Sequence, residues 1–235
     1  MGRAYEYRKA TKFARWDKMA KQFTKVGREI SMAIKSGGSN PESNPALRRA
    51  IQNAKGVNMP KDRVEAAIKR ASSKDDKDFS EITYEGMAPH GIAVVVETAT
   101  DNPTRTVANV RAIFNKKGGS LGTSGMHDFI FDRKGVFKIK NSNLDMDELE
   151  LDLIDYGLDK LEIDEDNIII YTSFHEFGSM QKALEDKTFE IIQSEIQRIP
   201  NLTKELTEEQ IDEILELIDK LEEDDDVQNV YHNLA

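Results

Sequence analysis

Positive charge in this 235-residue chain is gathered at one end. Residues 1–74 hold 18 Lys and Arg against 6 Asp and Glu, a net of +12, whereas the remainder holds 15 against 37, a net of −22. So uneven a distribution argues against one evenly mixed globule and for a basic block joined to an acidic body. Such a molecule can meet polyphosphate with one end and repel it with the other.

Both parts have the apolar content to fold. The chain is 38% hydrophobic and 32% charged, and at roughly 100 to 200 residues per domain its length accommodates two or three domains. The absence of cysteine excludes disulfide frameworks, thiolate metal sites and cysteine nucleophiles, and favours a reducing compartment. The opening Met1-Gly2-Arg3-Ala4-Tyr5-Glu6-Tyr7-Arg8-Lys9 has no apolar signal-peptide run, and no segment approaches the ~20 apolar residues of a membrane span. The expectation is a cytoplasmic protein without a membrane partner.

Between residues 11 and 35, Phe13, Trp16, Met19, Phe23, Val26, Ile30 and Ile34 recur at the three- and four-residue intervals of one helix face. Lys18, Lys21, Lys25, Arg28 and Lys35 project opposite, with Lys12 and Arg15 flanking. Gly37-Gly38 ends this helix. Asn44-Pro45 restarts the chain as a second helix closed at Gly56, and Met59-Pro60 opens a third. Beyond a charged linker, residues 82–87 and 92–98 read as a hairpin. A helix starts at Asp101-Asn102-Pro103, and Phe129-Ile130-Phe131 resumes strand. From Gly135 onward the order is βαββαβ, which is ferredoxin-like. The tail adds a helix at 211–221, with Thr207 and Gln210 as a capping box, and a strand at 227–231.

The fold class expected is therefore α+β: an N-terminal three-helix domain (1–78), a discontinuous α+β domain (79–132 and 201–235), and a ferredoxin-like domain (133–200) inserted within it.

No constellation for catalysis emerges. His90, His127, His175 and His232 form no i,i+4 metal pair, and His175-Glu176 reads as the capped opening of a helix. Gly118-Gly119-Ser120-Leu121-Gly122 follows a helix rather than a strand, the wrong order for a phosphate cradle, and reads as loop. Asp224-Asp225-Asp226 lacks the glycine and distal Glu of a calcium loop and reads as a solvated turn. No enzyme activity, metal or cofactor is expected.

The basic block carries the stronger signal, because phosphate binding needs many Lys and Arg along one face without acidic neutralisation. The candidate nucleic-acid contacts are Arg3, Tyr5, Arg8, Lys9, Lys12, Arg15, Lys18, Lys21, Lys25, Arg28, Arg48, Arg49, Lys55, Lys61 and Arg63. Tyr5 and, beside it, Tyr7 could stack on unpaired bases. Trp16 and Phe23 read as core. A solvated lysine face, or a dock for an acidic protein, would use the same residues.

Several short runs resemble the YebC family of probable transcriptional regulators and translational activators, which includes a mitochondrial activator of cytochrome oxidase translation. They are Phe23-Thr24-Lys25, Arg28-Glu29-Ile30, Asn44-Pro45-x-Leu47-Arg48, Asn58-Met59-Pro60, Tyr84-Glu85-Gly86, Asp101-Asn102-x-x-Arg105-Thr106, Gly118-Gly119-x-Leu121-Gly122 and Asp225-Asp226-Val227-Gln228-x-Val230-Tyr231-His232-Asn233. The leader Gly2-Arg3-Ala4-Tyr5 departs from the Gly-His-Ser-Lys-Trp opening common in that family. The resemblance implies a three-domain α+β fold and a non-enzymatic role in gene expression. The readings that follow are a DNA-binding transcriptional regulator acting on promoter DNA, or a translation factor on ribosomal RNA. Either could engage the ribosome or transcription machinery, and a protein-binding adaptor ranks third.

Overall fold

The computed structural model describes residues 3–73 and 78–235, with side chains from Met19 onward. The chain divides into two compact units, Met1–Phe79 and Ser80–Ala235.

The first unit is helical: α1 (Arg3–Gly37), α2 (Pro45–Gly56) and α3 (Lys61–Ala71). Val26, Ile30, Ala33 and Ile34 of α1 pack against Leu47, Ala50 and Ala54 of α2 and Val64, Ala67 and Ala71 of α3. Ile30, Leu47 and Ala54 are fully buried. A large aliphatic side chain so placed contributes about 1.5–3 kcal/mol, which is what holds three short-range helices together.

The second unit carries two antiparallel four-stranded sheets. The first, in the order β3-β1-β2-β8, is built from β1 (Ser80–Ala88), β2 (Ile92–Thr100), β3 (Ser120–Leu121) and β8 (Val227–His232). Strand β2 opens on an unbroken apolar run, Ile92-Ala93-Val94-Val95-Val96, because both its faces are covered there. Val94 and Val96 face α4 (Pro103–Lys116) and α7 (Glu208–Glu222), meeting Val110, Phe114, Ile214 and Leu217. Ala93 and Val95 pack on Phe131 from the other side.

The second sheet follows the order β5-β6-β4-β7, from β4 (Phe131–Lys140), β5 (Leu158–Asp164), β6 (Asn167–Ser173) and β7 (Ile191–Pro200). With α5 (Met146–Leu153) and α6 (Phe177–Asp186) this is the ferredoxin-like arrangement. Phe137 stacks on Phe177 at 4.7 Å between centroids within a separate apolar core. The two sheets are tied by Arg198 of β7, whose Nε donates to Glu97 Oε1 of β2 at 3.0 Å, and by the Tyr231 hydroxyl of β8, which reaches the Ile196 carbonyl of β7 at 3.4 Å as well as Glu97 Oε2 in its own sheet at 3.3 Å. Burial, reinforced by Glu97, pushes the Tyr231 hydroxyl far above its ordinary pKa and keeps it a donor.

Three expectations are corrected. The strand after α4 is Ser120–Leu121, not 129–131, and it pairs with β1 through Gly86↔Leu121 and Met87↔Ser120. Glycine makes that approach possible: a Cβ on Gly119 would sit 2.6 Å from the Met87 carbonyl oxygen, and one on Gly86 2.7 Å from Phe114. Phe131 instead opens β4 opposite Pro200, and Phe129 is 70% exposed. Second, His175 and Glu176 lie in a turn of 3₁₀ helix, and Glu176 makes no side-chain capping bond to α6, its stem lying against Gly157 instead. Third, Asp226 is buried rather than solvated. It accepts hydrogen bonds from Thr100 Oγ1 (3.2 Å), Thr106 Oγ1 (2.7 Å) and Arg105 Nη2 (2.6 Å), fastening the tail to the start of α4.

Asp226→Ala should remove the acceptor that Thr100, Thr106 and Arg105 share, leaving the two hydroxyls only each other and Asn102, and lower stability by about 1–3 kcal/mol, read as a drop in urea midpoint. His232 is half-buried, with Nδ1 lacking a partner among the described residues, and burial lowers its pKa below 6.5 against an opposing pull from Glu222. The unfolded chain therefore binds this proton more readily, so stability is complete above pH 6.5 and declines as pH falls through the lowered value. His232→Gln should flatten that decline in denaturation midpoints measured on either side of it.

Candidate nucleic-acid interface

The helical unit is held in register by one buried side chain. Asn44 caps α2 by accepting from the Leu47 amide at 3.1 Å, while its Nδ2 donates to the carbonyls of Ala33 (2.7 Å) and Gly38 (2.8 Å) at the end of α1. Gly37 leaves room for it, since a Cβ there would lie 2.7 Å from Asn44 Cγ. The α1–α2 corner, and with it the relation between the basic residues on the two helices, is thus fixed by hydrogen bonds rather than by packing alone.

On this frame, residues 19–73 carry eleven Lys and Arg against four Asp and Glu. Lys21, Lys25 and Arg28 stand along α1, half-buried, at the spacing of a single face. Arg49 on α2 is half-buried, and Lys55, Lys61 and Arg63 are exposed. Not all are equally available. Arg48 Nη1 donates to the Pro41 carbonyl at 3.1 Å and so braces the α1–α2 loop, and Lys61 lies 3.7 Å from Glu65. Lys35 pairs with Asp78 at 2.7 Å. Arg3, Tyr5, Arg8, Lys9, Lys12, Arg15 and Lys18 fall outside the described side chains, as do Tyr7, Phe13 and Trp16.

Sequence reasoning missed two features of this unit. Phe23 is absent from the buried core and lies under the Arg63 guanidinium, 5.7 Å from ring centroid to Cζ. Phe79, next to the linker, sits 5.2 Å beneath Arg28 Cζ. Helical periodicity assigned Phe23 to the stripe correctly but could not tell its edge from its centre.

Elsewhere the titratable groups serve the fold. The buried Glu85 accepts from the amides of Gly125 (2.7 Å) and His127 (2.8 Å), His127 Nε2 is 2.8 Å from the Gly86 carbonyl, and His90 Nε2 is 2.7 Å from Glu213. Among the described residues no three His, Asp or Glu are grouped to hold a metal, and no helix is long and apolar enough to cross a membrane.

A basic helical unit on a two-sheet α+β body is the architecture of a defined protein class. Residues 3–74 match the profile of the TACO1/YebC protein N-terminal domain, and residues 79–234 that of the TACO1/YebC second and third domain. A probable transcriptional regulatory protein of Parabacteroides distasonis is 59% identical over 235 residues, covering 100% of this chain and 97% of the relative. Those of Porphyromonas gingivalis (58%; 100% and 97% covered) and Flavobacterium johnsoniae (55%; 100% and 99%) are similar. The crystal structure of a conserved hypothetical protein from Aquifex aeolicus superposes with a TM-score of 0.80 at 39% identity, over 92% of this chain and 90% of that one. The chain belongs to the TACO1/YebC family.

Asn44→Ala should cost about 0.5–2 kcal/mol from the lost cap alone and loosen the α1–α2 corner. The check is thermal unfolding beside Asn44→Asp, which retains the accepting oxygen but loses both Nδ2 bonds.

Proposed function

We propose that the protein regulates transcription by binding DNA through its helical unit, without a catalytic step, in the cytoplasm. The observation that carries this reading is the segregation of charge: Lys21, Lys25 and Arg28 at the spacing of one face of α1, with Arg49 and Lys55 on α2 and Arg63 on α3, lie in a segment of 18 Lys and Arg against 6 Asp and Glu, whereas the remainder carries a net of −22. Neutralising phosphates releases their condensed counterions, so such a face gains affinity largely independent of sequence. On this reading Arg3, Tyr5, Arg8, Lys9, Lys12, Arg15 and Lys18 are further contacts. The acidic remainder does not add to the grip on phosphate, and the segments 79–132 with 201–235, and 133–200, serve as two platforms for proteins of the transcription machinery. The names of the relatives, probable transcriptional regulatory proteins, support this reading.

A second reading, binding of ribosomal RNA as a translational activator, is favoured by one observation. The arginines over Phe23 and Phe79 suit unpaired bases better than the closed stack of a duplex.

Lys21→Ala, Lys25→Ala and Arg28→Ala combined should weaken DNA binding and reduce the slope of log affinity against log salt by up to about 0.9 per lost duplex contact, or about 0.7 on single strands. An unchanged slope in fluorescence anisotropy would remove this face from the interface. Cross-linking in living cells followed by sequencing of the attached nucleic acid separates the two readings: promoter DNA supports the first, one ribosomal RNA site the second.

A further inference from the structure

On the side of the helical unit where α1 faces α3 lies a groove with a floor of small residues, Gly27, Ala66 and Ala67, and with Phe23 and Phe79 in its walls. Arg28, Arg63 and Arg70 also line it, and no acidic side chain does. Two of these arginines lie over the two rings.

Gly27 is the informative position. A glycine in a helix interior is destabilising by roughly 0.5–1 kcal/mol relative to alanine. Here packing does not require it, because a Cβ on Gly27 would meet nothing within 4 Å. The missing side chain keeps the groove open.

A ligand for this groove must be anionic, to match three arginines, and must have a flat apolar part, to lie on small residues between guanidinium–aromatic pairs. An acidic peptide meets the first requirement, but its aliphatic side chains gain little from guanidinium planes. A nucleotide with its base out of the stack meets both. We propose that the α1–α3 groove is a pocket for one unpaired base, with Arg28 and Arg63 contacting the base plane and Arg70 its phosphate. This rests on the reading that the helical unit binds nucleic acid, and deepens it: the lysine face grips backbone of any kind, while the groove selects strands that offer an unpaired base.

The test uses the full chain and three probes: a duplex with a single bulged 2-aminopurine, the same duplex fully paired, and an RNA duplex with the same bulge. The unsubstituted protein should prefer the bulged DNA to the paired duplex by about five-fold or more, the range expected for one stacked base, and should change the 2-aminopurine fluorescence. Gly27→Leu fills the groove without altering charge. It should abolish both the preference and the fluorescence change while leaving paired-duplex affinity and salt slope intact. Ala66→Leu, on the exposed side, is the second plug should the first perturb α1, and melting by circular dichroism confirms folding of each.

Equal affinity for bulged and paired DNA, or a preference that survives both plugs, would overturn the pocket while leaving the backbone grip standing. Displacement of a bound acidic peptide by the plugs, without any bulge preference, would overturn it in favour of a peptide site. Failure of the unsubstituted protein to bind any probe would instead remove the nucleic-acid reading beneath it. A stronger preference for the RNA bulge identifies the sugar as part of the ligand and keeps the pocket.

Discussion

The body of this protein depends on a strand brought back from the end of the chain. Val94, Val95 and Val96 of β2 pair with His232, Tyr231 and Val230 of β8, across more than a hundred intervening residues. Without β8, β2 would present an open edge, and α7, which precedes it, would have no fixed place over Val94 and Val96. The pairing is pinned at both ends. Asp226 holds one through Thr100, Thr106 and Arg105; at the other, Asn233 Oδ1 accepts from the Ala93 amide at 2.8 Å while its Nδ2 donates to the Leu202 carbonyl. These polar contacts fix which residues of the tail meet β2, a choice that burial of valines alone leaves open by steps of two.

Much of this was legible in the sequence where the signal is local. The three helices announce themselves by period and by caps, and Asn44-Pro45 and the Thr207–Gln210 box stand where expected. The βαββαβ order survives translation into strand order because each connection there is short and each strand is long enough to show its pattern. What was not legible is set by contacts distant in sequence. A two-residue strand has no periodicity, so β3 was hidden inside a glycine run. Asp226 looks like part of a solvated acidic turn until Thr100 and Thr106 are seen to surround it.

The basic residues show the same division. Their number and acid-poor setting are sequence facts, and the face of α1 follows from the helical repeat. Which of them brace the fold does not: Arg48 is drawn to a loop carbonyl, and Arg28 and Arg63 to aromatic rings, by the geometry of the α1–α2 corner and the approach of α3. Charge therefore does two jobs in the helical unit, as a diffuse field along α1 and as planar surfaces in a groove.

The late position of β8 also orders events during synthesis. Chains emerge from the ribosome N-terminus first, and domains fold as units in that order. The helical unit is complete at Phe79, and the ferredoxin-like sheet at Pro200, but the valine face of β2 waits for the last helix and strand to emerge. Until α7 and β8 are in place, Val94 and Val96 stand uncovered and one edge of β2 is open. An uncovered apolar face and an unpaired strand edge are what make a partly folded chain prone to associate, so closure of this sheet by β8 is the step of folding at which the protein is most exposed to that hazard.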